Sequence, residues 1–430
     1  MNMTVVLILL LMLVLFLLKV PVYVSMALTS CLLMLCTSGM KWSIVSQYLY
    51  TGTSSFTLLA IPLFLLAAKL MNTGGITKRL FAFCMKVVGW LPGGLGHVNI
   101  LSSVVFAGMS GTAVSDAGGL GSIEIRAMNE HGFDNDFACC VTAASSTLGP
   151  IIPPSIPLVV YATVSGASVG ALFMAGIIPG LIMAGIMMLV VTAFAIVRHY
   201  PRTNFPGLKE FAIALKEGFL PLLAPVILLV GIYGGVFTPT ESAAIVVLYS
   251  LFLDVFVYHE LTMKKFIELL KETVRDAITI AWIIAGATLF GYVATRAKIP
   301  QMILAAMTKL VSSKVALLLI INLFLLIIGC FLETASAITI VVPLVAPLLA
   351  AYGVNMTQFG IIMVLNLMIG LLTPPFGLVL FVISKIGNIS IARFSKALIP
   401  WIFALIAALL LVTFVPQLSL WLPTVLGMSV

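Results

Sequence analysis

The sequence predicts an all-α polytopic membrane protein built from an inverted repeat, with two re-entrant helical hairpins and two broken helices. Three observations carry this. The 430 residues are 62% hydrophobic and 8% charged, with a mean hydropathy of +1.24, a composition outside the range of soluble domains. Residues 108–179 align without a gap on 329–400 at a constant offset of 221. That alignment keeps seven glycines or prolines in register: Gly108/Gly329, Gly132/Gly353, Gly149/Gly370, Pro153/Pro374, Pro154/Pro375, Gly166/Gly387 and Pro179/Pro400. Composition alone predicts roughly one or fewer such identities. Gly and Pro fix backbone shape whereas apolar residues fill space, so the repeated object is a set of helix breaks. Paired breaks in a hydrophobic chain point to a secondary transporter with its site at the repeat interface.

Long uncharged runs supply the spans. They are read as 3–18, 22–38, 54–72, a first hairpin at 94–130, then 136–165 and 170–197. The second half gives 218–236, 240–258, 277–295, a second hairpin at 315–352, then 356–384 and 397–415. The first run lacks a basic leader and a small-residue cleavage site, so it reads as a retained helix. Segments 76–90 and 299–312 are too short to span and read as amphipathic arms at opposite interfaces.

Charge assigns the sides. Sixteen of the 22 Lys and Arg residues fall on one side and five on the other, with Lys69 inside a span. The positive-inside rule makes the first side cytoplasmic and both termini periplasmic. The hairpins then enter from opposite faces, which agrees with the repeat. The net charge of +8 is thus topological, and nucleic acid is not an expected partner. Six cysteines lie within apolar runs and four histidines are scattered; neither set has metal or disulfide spacing.

The breaks hold the candidate chemistry. SSTLGPIIPPSIP (145–157) and IGLLTPPFGL (369–378) free backbone carbonyls that need partners at membrane depth. The hairpin tips, GMSGTAVSDAGG (108–119) and GCFLETASAITIVVP (329–343), bring small hydroxyl residues. Carbonyls and hydroxyls suit a hard cation, and half-helix N-termini suit a carboxylate. Ser110, Thr112, Asp116, Ser146, Glu333, Thr334 and Ser336 are therefore substrate or coupling candidates; Asp116 and Glu333 are ionisable groups at membrane depth. Glu241 reads as a helix-capping residue near Thr238. Arg296 and Lys298 read as a solvated rim. No metalloprotease motif, Ser-Lys dyad or aspartate pair suggests an enzyme.

LGPIIPPS (148–155), GVFTPTE (235–241), FLETASAITIVVPLVAP (331–347) and LTPPFGL (372–378) resemble signatures of the large membrane subunit of tripartite ATP-independent periplasmic (TRAP) transporters. The resemblance covers essentially the whole chain. It implies the elevator fold of the ion-transporter superfamily, with scaffold segments 1–92 and 200–313, a two-part transport domain at 93–199 and 314–415, and a tail at 416–430. It implies Na+-driven uptake of an organic acid (sialic acid, a C4-dicarboxylate or a sugar acid) across the bacterial inner membrane. A periplasmic binding protein would deliver the acid, and a separate four-helix membrane subunit would be the partner. One Na+ site would use Gly329, Gly370, Thr373 and Phe376. The offset of 221 maps that site onto Gly108, Gly149, Ile152 and Ser155. Glu333 departs from the family, where Asp is the commoner residue. The rival readings are a stand-alone Na+/carboxylate symporter and a structural membrane subunit.

Overall fold

A computed structural model describes residues 3–18, 20–37, 40–72, 74–311, 313–375 and 377–430. Among these residues the chain is helical, without strands. The N-terminal half runs α1 (Met3–Leu17), α2 (Val22–Cys36), α3 (Ser43–Thr53), α4 (Ala60–Met71) and α5 (Gly74–Val88). The first hairpin follows as α6 (Gly94–Ser110), α7 (Ala113–Gly119) and α8 (Gly121–Glu130). The broken helix is α9 (Asn135–Ser146) and α10 (Ile156–Ser165), and α11 (Val169–Arg198) closes the half. The second half repeats the plan: α12 (Leu208–Tyr233), α13 (Pro239–Phe252), α14 (Met263–Arg296), the arm α15 (Ile299–Leu310), and hairpin arms α16 (Lys314–Phe331) and α17 (Thr334–Ala351). Its broken helix is α18 (Met356–Gly370) and α19 (Leu378–Ile386), followed by α20 (Ile391–Ala397), α21 (Ile399–Phe414) and α22 (Gln417–Val425).

Six of these helices are long and apolar enough to cross a bilayer, or nine if each sharply bent pair counts as one span. Their outward faces keep Leu189, Val197, Leu248, Leu323 and Phe403 exposed. In a protein of this composition such a surface meets lipid.

Two readings of the spans differ from the structure. The stretch before the predicted span at 54–72 is helical as well: α3 ends at Thr53, and a 3-10 turn at Phe56–Leu59 leads into α4 at an angle of 50°. Helix α14 has 34 residues and starts well before the predicted span at 277–295, because its first turns are amphipathic and ion-paired rather than apolar. Lys69 ends α4 and binds Glu272 at 3.4 Å and Asp276 at 2.7 Å on that extension. Within the segment read as the tail, 416–430, α22 packs on α11 and α18. The two segments read as arms are helical, α5 and α15. Glu241 completes a capping box with Thr238, its carboxylate accepting Thr238 N–H at 2.7 Å.

Packing falls into two sets. Helix α14 lies against α2, α3 and α4, and α13 joins α4 to α12. The hairpins and broken helices pack mainly on one another: α16 on α18, α6 on α9, α11 on α18 and α21. Across the repeats, α10 packs on α17 and α7 packs on α19. Each hairpin's second arm thus lies against the other half's broken helix. Trp401, Tyr161, Phe173 and Phe359 are fully buried within this interlocked part.

Candidate functional site

Each break sits where the sequence puts it, and glycine makes the close approaches possible. At the second break, Gly370 ends α18 against Gly329 of the hairpin. A Cβ added to Gly370 would lie 2.4 Å from the Gly329 carbonyl carbon, a distance no side chain tolerates. Thr373 follows in the unwound segment and donates to the Gly370 carbonyl at 2.9 Å. Its Oγ1 also lies 2.8 Å from Cys330 Sγ. Gly329, Gly370 and Thr373 are therefore brought together; Phe376 lies outside the described residues.

The first break uses a related construction. Ser155 caps α10, its Oγ accepting Leu158 N–H at 3.2 Å and donating to the Pro150 carbonyl. The tip residue Gly111 has φ +65 and sits on the Pro154 carbonyl, and Ile156 N–H donates to the Gly111 carbonyl at 3.2 Å. Gly149 faces Thr112 O and Ser110 Oγ; an added Cβ would lie 3.2 and 3.5 Å from them. Gly108 instead abuts Pro225 of α12, and the Ile152 side chain packs on Gly180 of α11. Gly108, Gly149, Ile152 and Ser155 thus border the first break without the direct Gly–Gly contact of the second. Both Pro-Pro bonds, Pro153-Pro154 and Pro374-Pro375, are cis.

Between the breaks lies a cavity of ≈ 90 Å³. Hairpin residues Thr112, Glu333 and Thr334 line it, together with Pro150 and Leu378 from the broken helices and Ile280 from α14. Among the described residues no Lys or Arg lines it. The polar groups that line it are helix ends, hydroxyls and the Glu333 carboxylate; helix N-termini and hydroxyls are the groups that suit an anion.

The remaining candidates divide by position. Thr334 is buried at the cavity wall, while Ser336 gives its N–H to Glu333 at 3.2 Å. Ser110 is buried with an unpartnered hydroxyl. Ser146 is buried but returns its hydrogen to Ala143 O at 2.8 Å. Asp116 does not reach the cavity; it is 1% exposed inside the first hairpin. Sequence reasoning missed Ile280, which no motif marks, and Glu124, buried beside Asn99. The spacing Asp116–Leu120–Glu124 was the available signal, since it places both acids on one helix face.

The geometry has close counterparts among known proteins. The family described as tripartite ATP-independent periplasmic transporter, DctM component, matches residues 9–418. The chain is 42% identical to the sialic acid TRAP transporter large permease protein SiaM of Vibrio cholerae, covering 94% of each chain. It is 39% identical to the C4-dicarboxylate TRAP transporter large permease protein DctM of the same organism, over 95% of this chain and 94% of that one. In fold it is similar to the Alcanivorax borkumensis YdaH transporter, with TM-score 0.64 and 15% identity over 86% of each chain. The chain therefore belongs to the DctM component family of tripartite ATP-independent periplasmic transporters, as a multi-pass transport component of the bacterial inner membrane and not an enzyme.

Proposed function

We propose that this chain carries an organic acid into the cell together with Na+, by movement of the hairpins and broken helices as a unit. The observation that supports this best is the cavity itself: both hairpin tips and both broken helices meet there, and among the described residues no basic side chain lines it. Na+ would bind at the two breaks, one involving Gly329, Gly370, Thr373 and Phe376, the other Gly108, Gly149, Ile152 and Ser155. Bound ions order the tips and offset the negative charge of the acid. Acid without Na+ would leave an unpaired carboxylate in the apolar barrier, which opposes the movement.

The moving unit is residues 93–199 and 314–415, and the scaffold is 1–92 and 200–313. The packing supports this division, because α10 with α17 and α7 with α19 tie the two mobile halves together. The helix α14 lines the cavity from the scaffold through Ile280. Both termini face the periplasm. A four-helix membrane subunit and a periplasmic binding protein complete the system. The relatives named for sialic acid and for C4-dicarboxylates mark the substrate range.

The test is radiolabelled uptake into proteoliposomes with an imposed Na+ gradient. The chain is reconstituted with its small subunit, with and without the binding protein, against a panel of organic acids. Uptake that requires both Na+ and the binding protein is the expected result. Uptake without the binding protein supports a stand-alone symporter, and Na+-independent uptake overturns the coupling.

A further inference from the structure

The first hairpin buries two carboxylates that the cavity does not use. Asp116 and Glu124 are each 1% exposed. They lie on one face of a nearly continuous helix: Leu120 N–H donates to Asp116 O, and Glu124 N–H donates to Leu120 O, both at 3.0 Å. Among the described residues, neither Asp116 carboxylate oxygen nor Glu124 Oε1 has a partner within hydrogen-bond distance; the nearest polar group to Asp116 is the Ser103 hydroxyl. Glu124 Oε2 accepts from Asn99 Nδ2 at 2.8 Å. Asn99 Oδ1 in turn accepts from Ser145 at 2.7 Å, and the Ser103 hydroxyl donates to Ser145 Oγ at 3.0 Å.

Nothing nearby supplies a counter-charge. Among the described residues no ion pair includes either acid. The ionisable groups on the elements packed around them are otherwise engaged, neutral or outside. On α6, His97 Nε2 lies 3.3 Å from the Thr192 hydroxyl. On α9, Asp136 pairs with Arg393 at 2.7 Å, and Cys139 and Cys140 are buried thiols. Cys84 of α5 is buried as well. Arg126 and Glu130 of α8 and Lys385 of α19 are exposed.

The second hairpin shows that these acids are not needed to build the element. The offset of 221 puts Ala337 and Val345 in their places, both buried. Burial without counter-charge or solvent disfavours an ionised carboxylate over the neutral acid.

We propose that Asp116 and Glu124 form a proton-binding site confined to the first hairpin, each held as the neutral acid in the packed structure. The occupant is a proton rather than a metal ion, because the two groups stand eight residues apart along the helix. That is about 12 Å between backbone positions at 1.5 Å per residue, too far for the two carboxylates to ligate one ion by direct contact.

The test is infrared spectroscopy of the purified chain in lipid nanodiscs, titrated with pH. Expected at neutral pH are carboxylic-acid C=O stretching bands, one lost in Asp116→Asn and another in Glu124→Gln. If either variant fails to fold, Asp116→Ala with Glu124→Val copies the second hairpin and is expected to lose both bands. Spectra whose acid bands at neutral pH are unchanged by these substitutions overturn the proposal, as does replacement of the bands by a carboxylate signal that shifts with Na+. The measurement uses no substrate, so its failure leaves the transport reading untouched.

Discussion

Thr112 and Glu333 occupy the same position in the two repeats and do the same work with different chemistry. The offset of 221 relates them. Each is the N-cap of its hairpin's second arm: Thr112 Oγ1 accepts Ser115 N–H at 3.3 Å, and Glu333 Oε2 accepts Ser336 N–H at 3.2 Å. Both line the cavity. The two walls therefore differ by a carboxylate, although the local fold is shared.

Glu333→Ala is expected to cost about 1 kcal/mol through the lost cap. Glu333→Asp keeps a capping oxygen and is expected to retain most of that stability. Thermal unfolding of both variants checks the cap. Equal losses for the two substitutions would show that packing, not capping, holds this end.

Thr373→Ala removes a hydroxyl that touches both Gly370 O and Cys330 Sγ. The expected structural loss is about 1 kcal/mol. The half-saturating Na+ concentration for uptake is expected to rise about tenfold, equivalent to about 1.4 kcal/mol of binding. An unchanged Na+ titration would remove Thr373 from the site.

Gly370→Ala forces a methyl group onto the Gly329 backbone. Overpacking of this kind costs roughly 1–3 kcal/mol, and here the three nearest atoms are all Gly329 main chain. Gly118→Ala, with nothing within 4 Å of the added carbon, is the control and is expected to be neutral or slightly stabilising. Denaturation midpoints of the pair measure the difference.

Ile280→Trp fills the cavity from the α14 side. Uptake is expected to fall by more than tenfold while folding, followed by thermal unfolding, stays near that of the parent chain. Unimpaired uptake would place the substrate path elsewhere.

Asp134 reports on acid stability. The Tyr200 hydroxyl donates to it at 2.6 Å and Arg198 at 2.7 Å, and these bonds hold its carboxyl below the usual range. A depressed folded value means that this stabilisation is present above the unfolded value, about 3.9. It is lost as pH falls through the folded value. Between those two values Asp134→Asn is expected to show a flatter stability profile than the parent, by a small amount because the pair is well exposed.

Much of this architecture was legible because Gly and Pro act locally. The breaks at 147–155 and 371–377 follow from residues that cannot continue a helix, whatever surrounds them. The cap at Glu241 was readable for the same reason. Helix α3 was not, because Ser54-Ser55 interrupts an uncharged stretch without a strong breaker. The early turns of α14 were missed because a search for apolar runs passes over a charged amphipathic helix. Ile280 and Glu124 matter through where the fold puts them. Ile280 reaches the cavity only once α14 crosses the hairpins, and Glu124 is buried only once α6 and α9 close over it.

The contacts of α7 with α19 and α10 with α17 also set an order of assembly. Residues near 116 meet residues near 380, so the first hairpin leaves the ribosome long before its packing partner exists. Only when the last third of the chain has entered the bilayer do the two halves close on one another. A nascent chain halted before α19 therefore exposes the first hairpin to membrane proteases, whereas one halted after α19 can already shelter it.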